Sequence, residues 1–66
     1  AYYGRGIAYY GTGRRDKAFA DYTEAIRIDP NFAKAYYGRG RVYEDIGKKA
    51  KADADFAKAK ELGLNF

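Results

Sequence analysis

Apolar side chains recur three and four residues apart in this chain, in four runs separated by short polar or glycine-containing breaks. In the first run Tyr2, Gly6, Tyr9 and Tyr10 fall at helical spacing, and Gly11-Thr12-Gly13 stops it. A second run places Ala18, Tyr22, Ala25, Ile26 and Ile28 on one side. It ends at Asp29-Pro30, because proline disfavours helical geometry in the residue before it. Asn31 is the expected N-cap of a third helix that carries Phe32 and Ala35 and closes with Val42, Tyr43 and Ile46. Ala52, Phe56, Ala59 and Leu62 form the stripe of a fourth; there Gly63-Leu64 replaces Asp29-Pro30, so fraying or a turn is expected. Gly13 and Gly47 suit a left-handed position just past a helix end. The pattern predicts an all-α chain with helices over about 1–12, 15–28, 32–46 and 49–62.

Shifted by 34 residues, the chain aligns with itself. Ala1-Tyr2-Tyr3-Gly4-Arg5-Gly6 returns as Ala35-Tyr36-Tyr37-Gly38-Arg39-Gly40, and 15 of the 32 aligned pairs are identical without a gap. A period of this length marks stacked copies of one supersecondary unit, here two antiparallel helix-turn-helix repeats, 1–34 and 35–66. Gly6 and Gly40 on the first helix of each pair, with Ala18, Ala25, Ala52 and Ala59 on the second, let the backbones approach closely. Tyr9, Tyr22, Tyr43 and Phe56 are then expected to fill the remaining volume. Gly4 and Gly38 lie outside that packing argument. The simpler expectation is that they weaken their helices; the alternative is that they make room for a ligand backbone. Arg5 precedes Asp21 by 16 residues and Arg39 precedes Asp55 by the same interval, which predicts a charge-assisted pair inside each repeat. The bland alternative is two solvated surface charges.

Composition narrows the chemistry. The 66 residues contain no Cys, His, Ser, Met or Trp. No disulfide or thiolate metal site can form, the redox compartment stays open, and no Asp/Glu cluster is spaced for a metal. The hydroxyls of Thr12 and Thr23 have no base to activate them, so neither catalysis nor a cofactor is predicted. No apolar run approaches the length of a membrane span, and no signal-peptide pattern opens the chain. A start at Ala1 without Met is expected of a fragment or an engineered unit. The net charge of +4 divides as +2 in each repeat, six basic against four acidic residues and seven against five. Such mixing reads as solubility rather than as a nucleic-acid footprint.

The repeated positions resemble the tetratricopeptide repeat. Tyr2, Gly6, Tyr9, Ala18, Tyr22, Ala25 and Pro30 fill its pattern once; Tyr36, Gly40, Tyr43, Ala52, Phe56 and Ala59 fill it again, with Leu64 where proline would stand. Arg5 and Arg39 depart from it, occupying a place usually held by leucine. The resemblance implies an α-solenoid whose first helices line a concave, protein-binding side. Carried onto this chain, the inward row is Tyr3, Ile7 and Tyr10 on the first helix, and Lys34, Tyr37, Arg41 and Glu44 on the third. That surface would suit an extended peptide or a partner helix; alternatively, Tyr3 and Tyr37 only cover neighbouring core. Some members clamp the carboxylate of chaperone tails. The corresponding places here are Tyr3, Gly4, Ile7, Gly38 and Arg41, and only Arg41 is charged, so that ligand is not expected.

Two other partners are weighed. Tyr-Tyr-Gly-Arg-Gly, occurring twice, superficially suggests nucleic acid, but helix packing accounts for one glycine of each pair and the charge is mixed, so neither nucleic acid nor membrane is expected. The outer faces of the first and last helices lack the neighbour that a longer array would supply. Self-association is therefore expected, as a homo-oligomer with a two-fold dimer favoured over an open head-to-tail stack.

Overall fold

The computed structural model describes residues 1–65; Phe66, which pairs with Phe32 in the repeat, lies outside the described residues. Four helices follow one another: α1 (Tyr2–Gly11), α2 (Arg15–Ile28), α3 (Ala33–Asp45) and α4 (Lys49–Glu61), with no strand among the described residues. Helix α1 packs on α2, α3 on α4, and α2 on α3, whereas α1 and α3 only touch. This is the pair of stacked antiparallel hairpins that the repeat predicts. Against the expected 1–12 and 32–46, α1 and α3 are one residue shorter at each end.

Helix ends explain those limits. Gly13, Gly47 and Gly63 all adopt positive φ, at 81°, 83° and 105°. In each case the next residue's N–H reaches back to a carbonyl: Arg14 to Tyr9, Lys48 to Tyr43 and Leu64 to Ala59. These are Schellman closures, which satisfy carbonyls that the helix itself leaves unpaired. Gly63 therefore ends α4 in an ordered turn, and proline is not needed there. The expectation for Asn31 is corrected. Phe32 holds the N-cap place of α3 without a side-chain cap, and the Asn31 backbone N–H instead donates to Asp29 Oδ1 at 3.1 Å. The aspartate side chain closes a small turn ahead of the helix.

The core is thin and built largely of alanine: Ala18, Ala25, Ala35, Ala52 and Ala59, with Tyr22 and Val42 as its large members. Tyr9, Tyr43 and Phe56 are only half-buried. Tyr22 is the exception, 3% exposed, because it lies between two glycines. A Cβ on Gly6 of α1 would sit 2.8 Å from Tyr22 Cε1, and one on Gly38 of α3 would sit 2.7 Å from Tyr22 Cζ. Both are closer than real Cβ contacts allow. The expectation that Gly38 merely weakens its helix is thus overturned: the missing side chain admits the Tyr22 ring between the repeats. The second repeat shows the inner half of this arrangement, with Phe56 Cε1 2.7 Å from a Cβ on Gly40. At Gly4, the counterpart of Gly38, nothing lies within 4 Å.

Both predicted ion pairs form. Arg5 Nε and Nη2 donate to Asp21 at 2.9 and 2.8 Å, and Arg39 Nε and Nη2 donate to Asp55 at 2.8 and 2.9 Å. The aspartates are buried, so the bidentate fork satisfies carboxylates that would otherwise be costly to desolvate. Each guanidinium also lies over two tyrosine rings of its own helix, Arg5 over Tyr2 and Tyr9, Arg39 over Tyr36 and Tyr43, at 5.4 to 5.9 Å. Arginine can replace an apolar residue here because its stem and plane cover aromatic surface while its fork reaches the facing helix.

Candidate peptide groove

Where α1 and α3 run side by side, Tyr3, Ile7 and Tyr10 face Tyr37 and Arg41 across a shallow groove of about 170 Å³. Its floor is the Tyr22 ring seen past Gly38. Five of the seven residues expected on this surface are therefore brought together, and two are not. Lys34 is exposed one turn before Tyr37, beyond the end of the groove. Glu44 points elsewhere because it lies about 100° around the helix from Asp45, and Asp45 is the acidic residue that turns toward α1.

The walls are braced by polar contacts. Tyr10 Oη donates to Asp45 Oδ2 at 2.5 Å, and Arg15 Nε donates to the same oxygen at 3.3 Å. The Tyr10 bond, and Arg15 after it, hold the Asp45 carboxyl below the ordinary carboxylate range; the same bond pushes the Tyr10 hydroxyl up. Arg41 lies over the rings of Tyr10 and Tyr37, at 5.7 and 5.9 Å, and its Nη1 makes a long 3.4 Å contact to Tyr37 Oη. Its charge is favoured first by that contact and then by Tyr10. An exposed guanidinium is thus presented flat at the groove rim by two aromatic rings.

Ile7 supplies the apolar centre and is 49% exposed. Tyr3 serves both expected purposes. It lines the groove, and its ring packs at 5.9 Å from Tyr22 and 4.9 Å from Phe32. Three contributors were missed from the sequence. The repeated second glycine was the available signal for Gly38, and Tyr22 follows from it once the helices are paired. Asp45 had no local signal, since Tyr10 is 35 residues away. The groove offers aromatic planes, one aliphatic side chain and one cation. Among the described residues no group of His, Cys, Asp and Glu is placed to hold a metal.

The hairpin geometry agrees with comparisons against known families. Residues 8–47 match the TPR repeat family, and residues 33–62 match a second tetratricopeptide repeat description. The chain belongs to the tetratricopeptide repeat family. Tetratricopeptide repeats generally mediate protein–protein interaction and are typically non-catalytic. A comparison with curated proteins returns no match. None of the helices in the described residues is long and apolar enough to cross a membrane. In this tetratricopeptide repeat chain Tyr22 packs against Gly6, and Arg5 and Arg39 each pair with an aspartate on the facing helix.

Proposed function

We propose that residues 1–34 and 35–66 act as two repeats of a non-catalytic interaction module that holds an extended peptide in the groove between α1 and α3. The observation that carries this reading is Ile7 standing exposed among three tyrosines while Arg41 is held over two of the rings. An apolar ligand side chain would cover Ile7, and a carboxylate would pair with Arg41. Preordered rings keep the entropy cost of binding low. Panning a random linear-peptide library against the chain is expected to enrich peptides with an apolar residue near an acid. Those peptides should lose at least about tenfold in affinity to an Ile7→Asp/Arg41→Glu variant, a typical result of disabling an interface centre. Equal binding to that variant, with helicity by circular dichroism unchanged, would refute the groove.

A second reading is supported by Gly4. Its repeat counterpart Gly38 receives the Tyr22 ring of the preceding hairpin, whereas the space over Gly4 is open. A second copy could supply an aromatic there and continue the stack, so the chain would self-associate as a homo-oligomer, either as a dimer or as a longer array. Sedimentation should then show growth with concentration, suppressed by Gly4→Leu. A monomer at all concentrations would dispose of it.

A further inference from the structure

We propose that the edge formed by the two hairpin tips is a second binding site, which takes an acidic protein segment and inserts one of its bulky apolar side chains between α2, α3 and α4. The sequence supplies the charge in an inconspicuous form. Arg14, Arg15 and Lys17 open α2, and Lys48, Lys49 and Lys51 open α4 at the equivalent positions one repeat later. Counted by halves, the charge looks evenly mixed. Stacking changes this, because it brings Arg15 of the first run and Lys48 and Lys51 of the second to one cleft. The two runs together hold six of the chain's 13 basic residues, with Asp16 the only acid within either run.

Local backbone polarity has the same sign. Arg14 and Lys48 stand at the N-cap places of α2 and α4, and neither helix has a side-chain cap. Helix N-termini carry partial positive charge and unpaired N–H groups, so cations placed there repel them and leave the edge in need of anions.

The cleft beneath determines what kind of anion fits. It measures about 430 Å³, and its floor is Phe19, Val42, Tyr43 and Ile46. Phe19 and Tyr43 meet edge to face at 5.2 Å, and Ile46 is 51% exposed. Arg15, Asp16, Lys48 and Lys51 surround the mouth. Arg15 is paired with Asp45, so Lys48 and Lys51 are the cations offered to a ligand, with the Lys51 ammonium 5.9 Å from the centre of the Tyr43 ring. An apolar floor of this size desolvates a Leu- or Phe-sized side chain. A phosphodiester backbone would gain nothing from it, and a lipid surface requires a protruding apolar face rather than a concave one. An acidic polypeptide uses both parts, its carboxylates on the cations and its apolar side chain on Ile46 and Phe19. No residue of this cleft lines the groove between α1 and α3.

The test is fluorescence anisotropy with a labelled peptide of Glu and Asp carrying one central Phe, alongside the same peptide with central Ala and a single-stranded oligouridylate. The Phe peptide should bind at low salt, weaken as salt rises, and bind at least about tenfold more tightly than the Ala peptide. Lys48→Glu/Lys51→Glu should abolish binding. Because acids favour a helix N-terminus, the same variant should melt no lower than the parent chain, which separates recognition from folding. Ile46→Asn should bring the Phe peptide down to the affinity of the Ala peptide. Equal affinities for the two peptides, retention of binding by the charge-reversed variant, no binding by any peptide, or tighter binding of the oligouridylate would each overturn the proposal.

Discussion

Replacing Tyr22 with alanine is expected to cost about 3–5 kcal/mol, the usual range for deleting a buried aromatic ring. A chain of 66 residues holds about 7 kcal/mol at the usual ~0.1 kcal/mol per residue, so the loss removes about half of its stability or more and should lower the denaturation midpoint sharply. Tyr22 is a large, buried side chain that contacts both α1 and α3, filling the gap that Gly6 and Gly38 leave open. Small alanines around it cannot move in to close the cavity. Tyr22→Phe should retain most of the stability, since Phe56 fills the corresponding place against Gly40 in the second repeat. The same geometry gives two repeat-related glycines opposite signs. Gly38→Ala should destabilise, because the ring is held against Gly6 and cannot retreat. At Gly4 no such contact exists, and alanine should gain about 0.5–1 kcal/mol from helix propensity. Urea titrations followed by circular dichroism report all four variants. A Tyr22→Ala chain within about 1 kcal/mol of the parent, on a scale where buried aromatic deletions cost several, would contradict the central place given to this ring.

Asp55→Ala is expected to cost about 2–3 kcal/mol, more than the same change at Asp21. The two forks have nearly the same lengths, but their surroundings differ. Arg39 is only 20% exposed, so loss of Asp55 strands a guanidinium that is partly cut off from water. Its charge is favoured chiefly by the Asp55 hydrogen bond, against the effect of its burial. Arg5 is 58% exposed and can turn to solvent once Asp21 is gone. Asp21 carries a pH signature of its own. The Arg5 bond holds its carboxyl below the ordinary range, so the unfolded chain takes up the proton first as pH falls. Its contribution to stability is complete above the unfolded carboxylate value of about 4 and disappears as pH drops through the depressed native one. Denaturant midpoints of the two variants should therefore rank Asp55→Ala below Asp21→Ala at pH 7, and the gap between Asp21→Ala and the parent should close in acid. The reverse ranking would mean that Arg39 gains more from its tyrosines than from its carboxylate.

Much of the fold was legible because it is encoded at short range. Helical spacing, the glycines at 13 and 47, and the proline at 30 act within a turn or two of chain, so four helices follow from local pattern. The exact repeat then pairs them without any further information. The bidentate pairs were readable for a related reason: an interval of 16 residues, repeated, joins matched points on two helices of one hairpin. The groove was only partly readable. The family resemblance, carried over at helical spacing, selected Tyr3, Ile7, Tyr10, Tyr37 and Arg41, but it could not separate Glu44 from Asp45, which differ by a single step around the helix.

The spacing of apolar and small residues by itself determined that this chain makes two α-hairpins of one kind, since each hairpin is specified by contacts within about 34 residues. Tertiary structure alone decided what happens between the hairpins. The purpose of Gly38 depended on a ring 16 residues earlier in the chain, the wall of the groove on a bond from Tyr10 to Asp45, and the basic edge on two distant runs stacking together. The repeat marks the glycines and the basic residues as recurring, but which side chain each one meets is settled only after one repeat has packed against the next.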